Sequence, residues 1–272
     1  MSSFLAAALQ LSSTPDPDAN LAAAEEQIEI AARRGAELVG LPENFAFMGS
    51  DQTRLELAPT LAERCSRFLV TMARRYQVTL LGGGFPVPAG EGATYNRAEL
   101  VGTEGQLLAR YDKIHLFDVD IPDGTTYRES ATVRPGQELP PVVDVPGLCR
   151  LGLSICYDVR FPELYRHLAA AGAQVLLVPA AFTAYTGKDH WQVLLQARAI
   201  ENTAYVVAPA QTGLHYGRRQ THGHALVIDP WGTVLADAGL APGLAMGAID
   251  GSHSERVRQQ MPSLRHRHPT LF

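Results

Sequence analysis

The segment most informative about the fold lies near the middle of the chain and reads Gly152-Leu153-Ser154-Ile155-Cys156-Tyr157-Asp158-Val159-Arg160-Phe161-Pro162-Glu163. The apolar run that ends at Ile155 predicts a buried strand. Pro162 suits the first turn of a helix, so a strand-to-helix turn is predicted at Cys156. A thiol at such a turn lies near backbone N–H groups that stabilise negative charge. Cys156 is therefore a candidate nucleophile, although a cysteine taken alone is more often a small buried hydrophobe.

The composition of the chain is that of an ordinary globular protein. Its 272 residues are 46% hydrophobic and 19% charged, enough for one large α/β domain or two small ones. A net charge of −5 argues against a surface that binds nucleic acid or an anionic membrane. We find neither an apolar run of about 18 residues, as a membrane span needs, nor the pattern of a signal peptide. The three cysteines argue against a disulfide framework, so we expect a cytoplasmic protein.

Strand and helix patterns alternate along the chain. Its first half predicts a strand over Phe4–Leu11, a helix capped by Asp18, a strand over Glu37–Leu41, a helix over Leu55–Tyr76, a tight strand end at Gly82–Gly84 and a hairpin between Tyr95 and Lys113. A long polar segment, Ile114–Pro141, separates this half from the second, and a loop of that length is usually functional or a sign of misassigned elements. Besides the strand before Cys156, the second half predicts two helices and six strands: helices over Pro162–Ala171 and Asp189–Asn202, and strands over Val142–Val145, Gln174–Pro179, Tyr205–Ala208, Ala225–Ile228, Thr233–Ala236 and Leu244–Ile249. Because hairpins interrupt the alternation and no linker is visible, we expect one domain over residues 1–272, with two mixed sheets and helices outside them.

Three predicted strands end close to a residue that could take part in chemistry. Glu43 follows the apolar run 38–42, Lys113 follows the run 108–112, and Cys156 follows the strand described above. Catalytic groups in α/β folds gather at strand ends. Each residue also has a simpler interpretation. Glu43 could be a helix-capping carboxylate, Lys113 a solvated charge and Cys156 a core thiol.

The residues around these three positions form longer motifs. They are Leu41-Pro42-Glu43-Asn44, Tyr111-Asp112-Lys113-Ile114-His115-Leu116-Phe117-Asp118 and Ile155-Cys156-Tyr157-Asp158-Val159-Arg160-Phe161-Pro162-Glu163. Later segments are Pro179-Ala180-Ala181-Phe182, Thr186-Gly187, His190-Trp191, Arg198-Ala199-Ile200-Glu201-Asn202, Gly223-His224 and Asp229-Pro230-Trp231-Gly232. Together they resemble, in order and over nearly the whole chain, the motifs of the nitrilase superfamily of carbon–nitrogen hydrolases. Gln211-Thr212-Gly213-Leu214-His215, followed by Arg218-Arg219, is similar to the Nit-type branch, and within it to amidases that act on deaminated glutathione.

The resemblance implies a four-layer αββα sandwich and an amidase that needs no metal or other cofactor. It implies Cys156 as the nucleophile, Glu43 as the proton shuttle, and Lys113 with the backbone N–H of Tyr157 as stabilisers of the oxyanion. Glu129 matches a fourth family position that would orient Lys113. The resemblance also implies a homodimer or larger assembly of stacked sandwiches, and residues 262–272 are a candidate partner-facing tail.

Residues that bind the substrate are predicted mainly from its chemistry. A deaminated peptide carries carboxylates, and arginine binds carboxylates bidentately. Arg160 is therefore the candidate partner, with an ion pair to Glu163 as the alternative interpretation. Four further residues are candidates to line the pocket, although the aromatic ones could equally belong to the core: Phe182, Thr183, Tyr185 and His190.

Several functions stay open at this point. The same catalytic residues would serve an ω-amidase acting on 2-oxoglutaramate, an N-carbamoyl hydrolase or a true nitrilase. A binding scaffold that keeps the fold and a metallohydrolase are further alternatives, but the four catalytic positions are all retained and no set of histidine or acidic residues has convincing metal-ligand spacing. A cysteine–histidine pair could use His115 or His190, although no feature favours either over Glu43. The expected partner is therefore a small-molecule amide.

Overall fold

The structure is a computed structural model that describes residues 3–90, 92–122, 124–217 and 219–268. The strands are β1 Phe4–Leu11, β2 Ala36–Gly40, β3 Thr79–Pro88, β4 Thr94–Val101, β5 Leu107–Asp112, β6 Asp118–Asp120, β7 Thr126–Arg128, β8 Val142–Asp144, β9 Arg150–Leu153, β10 Val175–Leu177, β11 Tyr205–Ala208, β12 Ala210–Leu214, β13 Gln220–His222, β14 Leu226–Ile228, β15 Val234–Asp237 and β16 Gly243–Ile249. The helices are α1 Pro17–Arg33, α2 Asp51–Tyr76, α3 Pro162–Ala170, α4 Ala184–Asn202 and α5 Gly251–Gln260.

The strands form two mixed sheets and a separate hairpin. The larger sheet has the order β13-β12-β1-β2-β3-β4-β5, and β16 pairs antiparallel with β1. The smaller sheet has the order β15-β14-β11-β10-β9-β8, with β9, β10 and β11 parallel to one another. Strands β6 and β7 pair as a hairpin inside the long polar segment Ile114–Pro141, so part of that segment was misassigned as a loop.

Helices cover the outer face of each sheet. On β1, Ala7 and Leu9 pack in the cluster that includes buried residues of α1 and α2, whereas Ala6 and Ala8 pack in the cluster shared with the smaller sheet. This alternation explains why a strand that is buried on both faces reads as a continuous apolar run. Helices α3 and α4 contribute side chains such as Trp191 to the cluster of the smaller sheet. The resulting four layers confirm the predicted αββα fold class.

Several element boundaries differ from the sequence prediction. The cap of α1 is Asp16, whose carboxylate accepts from the backbone N–H of Asp18, so Asp18 lies in the first turn. Helix α2 begins four residues earlier than expected because Ser50 caps it. Gly82–Gly84 do not end a strand but lie within β3, where pairing with β4 shifts register between Gly82 and Phe85. Helix α4 begins five residues earlier than the helix expected from Asp189, and β12, β13 and α5 have no counterpart in the prediction.

Within the described ranges, no helix is long and apolar enough to cross a bilayer. The start of the predicted partner-facing tail, 262–268, follows α5, and Leu264 in it is half-buried. Phe272, the other apolar residue of that tail, lies outside the described residues.

Candidate active site

The chain segments that follow three strands bring Glu43, Lys113 and Cys156 together at one edge of the sandwich. Backbone hydrogen bonds to neighbouring strands hold two of these turns. The N–H of Lys113 donates to the carbonyl of Asn96 (2.9 Å), and the N–H of Cys156 donates to the carbonyl of Pro179 (2.8 Å). The third turn follows β2. The pairing of β2 with β3 extends to Leu41, whose N–H donates to the carbonyl of Leu81. The strands therefore position all three side chains, although β3 and β4 separate β2 from β5 in the larger sheet and β9 belongs to the smaller sheet.

Cys156 has a strained backbone. Its φ is +48°, in the left-handed region, and it opens the short 3₁₀ turn Cys156–Arg160. That conformation costs a residue with a Cβ about 1–2 kcal/mol. Such strain persists where the surrounding structure imposes it, and it is typical of functional positions.

Buried Asp158 holds this turn against the segment that carries Lys113. Its Oδ2 accepts from the N–H of Ile155 (2.8 Å) and from the Tyr111 hydroxyl (2.9 Å), and its Oδ1 lies 2.7 Å from His115 Nδ1. Tyr111 and His115 both lie two residues from Lys113. One carboxylate therefore links the cysteine turn to the lysine.

Lys113 lies between two carboxylates. Its Nζ is 3.1 Å from Glu43 Oε1 and 3.0 and 2.8 Å from the two carboxylate oxygens of Glu129. Burial alone would lower the pKa of Lys113, but Glu129 and Glu43 outweigh burial, and the net effect raises it. Lys113 is therefore a fixed cation although it is only 2% exposed. A buried ammonium of this kind is tolerable because its N–H groups meet ionised acceptors.

Glu43 is ionised and Cys156 is protonated at neutral pH. Burial alone would raise the pKa of Glu43, but Lys113 and a hydrogen bond from the Cys156 thiol lower it to about 2. Burial and the charge of Glu43 raise the pKa of the Cys156 thiol well above its ordinary value. The resting site therefore holds a thiol that donates to a carboxylate beside a fixed cation. We call Glu43, Lys113, Glu129 and Cys156 the buried cluster.

Glu129 comes from the long polar segment, in the turn that follows β7. Its Oε2 also accepts from the backbone N–H of Phe117 (2.7 Å). This hydrogen bond ties the hairpin of β6 and β7 to the segment after Lys113. The structure thus brings Glu129 to Lys113, where the sequence motif predicts it.

Asn96 on β4 belongs to the site although the sequence analysis did not select it. Its Nδ2 donates to Glu43 Oε1 (2.8 Å) and to Glu129 Oε1 (3.4 Å). Gly84 makes room for it, because a Cβ at Gly84 would lie 2.7 Å from Asn96 Oδ1. The sequence signal for Asn96 was weak, because it consists only of an amide-bearing residue in a predicted strand and a glycine run earlier in the chain.

A cavity of about 150 Å³ opens onto the buried cluster. Of the predicted substrate-binding residues, Phe182 and Thr183 line it, and so does Tyr157. Arg160, Tyr185 and His190 are not among the lining residues. The roles assigned to these side chains stay predictions, but the structure divides them into residues of the cavity and residues beside it.

Arg160 is packed beside the cavity. Its guanidinium carbon lies 5.2 Å from the ring centroid of Phe182, and both of its terminal nitrogens lie 3.3 Å from His190 Nδ1. The described residues show no ion pair between Arg160 and Glu163, the alternative that the sequence left open. Aromatic and imidazole partners therefore hold this arginine.

Three arginines that the sequence analysis did not place in the site line the cavity instead. They are Arg54 on α2, Arg128 at the end of β7 and Arg219 just before β13. Arg54 is 6% exposed, which is rare for arginine. Arg219 belongs to the segment that is similar to the Nit-type branch, but that similarity gave it no role in the site, and each of the three arginines reaches the cavity from a different element. Arg218, the other arginine of the segment that points to the Nit-type branch, lies outside the described residues.

The site contains no evident metal-binding group. Across the described part of the chain, no three or more histidine, cysteine, aspartate or glutamate side chains are arranged to hold a metal ion. His115, one candidate for a cysteine–histidine pair, is bound to Asp158 and stacks on Phe161 at a centroid distance of 3.6 Å. These contacts place His115 among the groups that support the cysteine turn. The Cys156 thiol donates its hydrogen bond to Glu43 instead.

Comparison with known proteins places this geometry in a family. A model described as "Carbon-nitrogen hydrolase" matches residues 5–259. The chain is 65% identical over 269 residues to a deaminated glutathione amidase of Synechocystis sp., covering 98% of this chain and 99% of that protein. The crystal structure of the C. elegans NitFhit protein has a TM-score of 0.93 at 40% identity, and the match covers 100% of this chain and 66% of that longer one. A mutant of the amidase from Nesterenkonia sp., with the acetamide moiety of fluoroacetamide covalently added at the active site cysteine, has a TM-score of 0.84 at 30% identity, covering 98% and 95% of the two chains.

Proposed function

This chain belongs to the carbon–nitrogen hydrolase family, and from that premise we propose that it hydrolyses the amide bond of deaminated glutathione, releasing 2-oxoglutarate and cysteinylglycine. Membership makes it a hydrolase of carbon–nitrogen bonds. The observation that carries the proposal is the buried cluster, in which a thiol donates to an ionised carboxylate beside a fixed lysine. The similarity to a deaminated glutathione amidase supports the choice of substrate.

Acylation uses each member of the cluster differently. Cys156 attacks the amide carbonyl while Glu43, ionised at rest, accepts the thiol proton. The developing oxyanion is stabilised by Lys113 Nζ and by the backbone N–H of Tyr157. Glu43 then passes the proton to the nitrogen of cysteinylglycine, which leaves as the amine. The 2-oxoglutaryl group stays on Cys156 as a thioester.

Deacylation repeats the proton transfers with water. Glu43 takes a proton from the attacking water, and the same groups stabilise the second oxyanion. The thioester carbon–sulfur bond breaks, 2-oxoglutarate leaves, and Cys156 recovers the proton. A covalent adduct at the active site cysteine of the Nesterenkonia amidase supports a covalent route of this kind.

Glu129 and Asn96 orient the reacting groups in this proposal. Glu129 holds Lys113 through two contacts of 3.0 and 2.8 Å, so the ammonium cannot turn away when Glu43 is protonated during the reaction. Asn96 donates to both glutamates and keeps them at a constant separation. Neither residue exchanges a proton with the substrate.

A substrate panel tests the proposal. We expect deaminated glutathione to be hydrolysed with the highest kcat/KM among deaminated glutathione, 2-oxoglutaramate, an N-carbamoyl amino acid and a simple nitrile. Preferred turnover of one of the other three would assign the chain to that neighbouring activity. Activity that disappears after thorough chelation would instead indicate a metallohydrolase.

Intact-mass analysis tests the nucleophile. We expect a 2-oxoglutaryl adduct on the wild-type chain after rapid quenching and none on Cys156→Ala. The matched control is Cys149→Ala, because Cys149 is a buried thiol that does not line the cavity. An acyl adduct that persists on Cys156→Ala would exclude Cys156 as the nucleophile.

We also infer a cytoplasmic location and a homodimeric or larger assembly. All three cysteines are free, which suits a reducing compartment. The outer face of α4 exposes Val193 and Ile200, and Trp231 in a neighbouring turn is 57% exposed. Exposed apolar side chains in one region are typical of protein interfaces. Sedimentation equilibrium on the wild type and on Trp231→Glu measures the assembly, and a wild-type monomer would contradict this inference.

A further inference from the structure

Two arginines of the cavity have buried donors without an acceptor. Arg54 Nε and Arg219 Nε are both inaccessible to solvent and have no hydrogen-bond partner among the described residues. Arg128, which also lines the cavity, is by contrast paired with the two carboxylate oxygens of Asp120 at 2.8 and 3.0 Å. A buried donor that is left unsatisfied destabilises the folded chain. Arg54 and Arg219 are therefore arranged for an acceptor that the chain itself does not supply.

Arg54 is held on the wall of the cavity that carries Glu43. Its Nη2 donates to Asn44 Oδ1 (3.3 Å), and Asn44 follows Glu43 directly. Asn44 has a left-handed backbone (φ +60°), and its N–H donates to the carbonyl of Gly84 (2.8 Å). One terminal nitrogen of Arg54 is thus anchored, and the guanidinium lies at the cavity with further donors.

Arg219 reaches the cavity from the connection between β12 and β13. Its guanidinium carbon lies 5.9 Å from the ring centroid of Tyr127, which also lines the cavity. Its carbonyl accepts from the N–H of buried His215 (2.8 Å), so the backbone of this connection is held in place. Arg54 and Arg219 therefore come from unrelated elements, and folding places both on the wall of one cavity.

The two guanidinium groups are close enough to influence each other. Burial lowers the pKa of Arg54, and the charge of Arg219 lowers it further. The carboxylates of Glu129, Asp51 and Glu43 offset only part of this effect, because the net pKa of Arg54 is still lowered. Two like charges in a region of low dielectric are stabilised further when an anion binds near both. A carboxylate is the anion that fits, because its planar pair of oxygens matches the fork of a guanidinium.

We propose that Arg54 and Arg219 bind the carboxylate at the far end of the substrate's acyl group and so select amides of short dicarboxylic acids over uncharged amides. The proposal rests on the proposed function, since it places the scissile carbonyl at Cys156 in the same cavity. The 2-oxoglutaryl group carries its carboxylate a few carbon atoms from the carbonyl that is attacked. The proposal assigns to Arg54 and Arg219 the role that the sequence predicts for Arg160.

The test compares two amides of equal chain length, 2-oxoglutaramate and its uncharged methyl ester. The variants are Arg54→Gln, Arg219→Gln and Arg160→Gln. Arg67→Gln is the matched control, because Arg67 lies on the same helix as Arg54, is exposed and pairs with Glu63. We expect Arg54→Gln and Arg219→Gln each to lower kcat/KM for the charged amide about 10–100-fold, chiefly through KM, as loss of a charge-assisted hydrogen bond predicts. Turnover of the uncharged ester should change far less.

The possible outcomes separate this proposal from the function on which it rests. A selective loss for the charged amide in Arg160→Gln, with Arg54→Gln and Arg219→Gln unaffected, would overturn it. Equal losses for both amides would also overturn it, because they would show a general structural effect. If the wild type hydrolyses neither amide nor deaminated glutathione, the proposed function fails instead. Arg54→Lys and Arg219→Lys serve where a glutamine variant does not fold, and we expect them to retain part of the selectivity because they keep the charge without the fork.

Discussion

At the scale of single residues, the protonation states at rest determine how the site can work. Cys156 keeps its proton because it is buried beside the negative charge of Glu43. Lys113 keeps its proton because the carboxylates of Glu129 and Glu43 lie beside its ammonium group. The resting site therefore holds no thiolate, and in the mechanism that we propose the nucleophile forms only when the carboxylate takes the thiol proton during attack.

Glu43→Gln tests this division of roles. A glutamine keeps the shape of the side chain but cannot accept the thiol proton, so we expect kcat to fall about 10²–10⁴-fold. The measurement is kcat with deaminated glutathione, with melting temperature as the check on folding. Glu99→Gln is the control, because Glu99 is also buried but is bonded to Ser66 and does not line the cavity. A similar loss in both variants would contradict a specific role for Glu43.

At the scale of elements, Gly84 of β3 and Asn96 of β4 depend on each other. Gly84 has φ +144°, a conformation that side chains rarely adopt, and it faces both Asn96 and Glu43. The irregular pairing of β3 with β4 at this point brings Asn96 between the two glutamates. The departure from a regular ladder is thus part of how the buried cluster is built.

Gly84→Ala tests this coupling. The new Cβ would lie 2.7 Å from Asn96 Oδ1 and 3.2 Å from Glu43 Cγ, so we expect both a loss of stability of about 1–3 kcal/mol from the backbone and a large loss of kcat. Gly90→Ala is the matched control, because Gly90 also has a positive φ (+99°) but nothing lies within 4 Å of its Cβ position. Urea unfolding and kcat of both variants separate backbone strain from displacement of Asn96. Equal kcat values in the two variants would show that Gly84 matters through strain alone.

A second element-scale feature is the support of the cysteine turn. Asp158 receives hydrogen bonds from the turn itself and from Tyr111 at the end of β5. The larger sheet supplies β5, and the smaller sheet supplies β9, which leads into the turn. The Asp158 carboxylate therefore fixes the end of β5 in the larger sheet relative to the turn that follows β9 in the smaller sheet.

At the scale of the whole molecule, the stack of two sheets creates the environment that shifts the pKa values. Glu43 follows a strand of the larger sheet, and its Oε2 accepts from the N–H of Ala181 (2.9 Å), which follows a strand of the smaller sheet. Neither sheet alone would exclude water from both sides of this carboxylate. Unfolding therefore returns Glu43 toward its ordinary pKa, and this couples global stability to pH.

The predicted pH dependence has a definite sign. The pKa of Glu43 is about 2 in the folded chain and 4.5 ordinarily, so between these values the unfolded chain binds more protons. The stabilisation from ionised Glu43 is present above about pH 4.5 and is lost as the pH falls through about 2. We expect the difference in free energy of unfolding between wild type and Glu43→Gln to change steadily across this window, in the direction that disfavours the wild type at low pH. Urea unfolding of both chains at several pH values measures it, and a constant difference would contradict the lowered pKa.

The sequence by itself determined the family and the layer architecture, and it selected the candidate reacting residues. Apolar runs buried on both faces and intervening helical periods predict two covered sheets, because periodicity depends on local geometry and burial alone. Glu43, Lys113 and Cys156 were selected because the motifs around them resemble those of the family, and each lies just after a predicted strand. Glu129 was found from its motif, and the contact with Lys113 agrees with that position.

The tertiary structure alone decided which other groups share the cavity and how each is ionised. Asn96, Gly84, Arg54 and Arg219 lie on four separate segments, and no local pattern connects them. Arg160 is close to Cys156 along the chain yet lies outside the cavity lining, whereas Arg54 is far away along the chain and lies within it. Burial and mutual charge depend on the distances between segments distant in sequence, and folding sets those distances. The chemistry of the site can therefore be read from its motifs, but its selectivity depends on side chains that only the packed sheets and helices bring together.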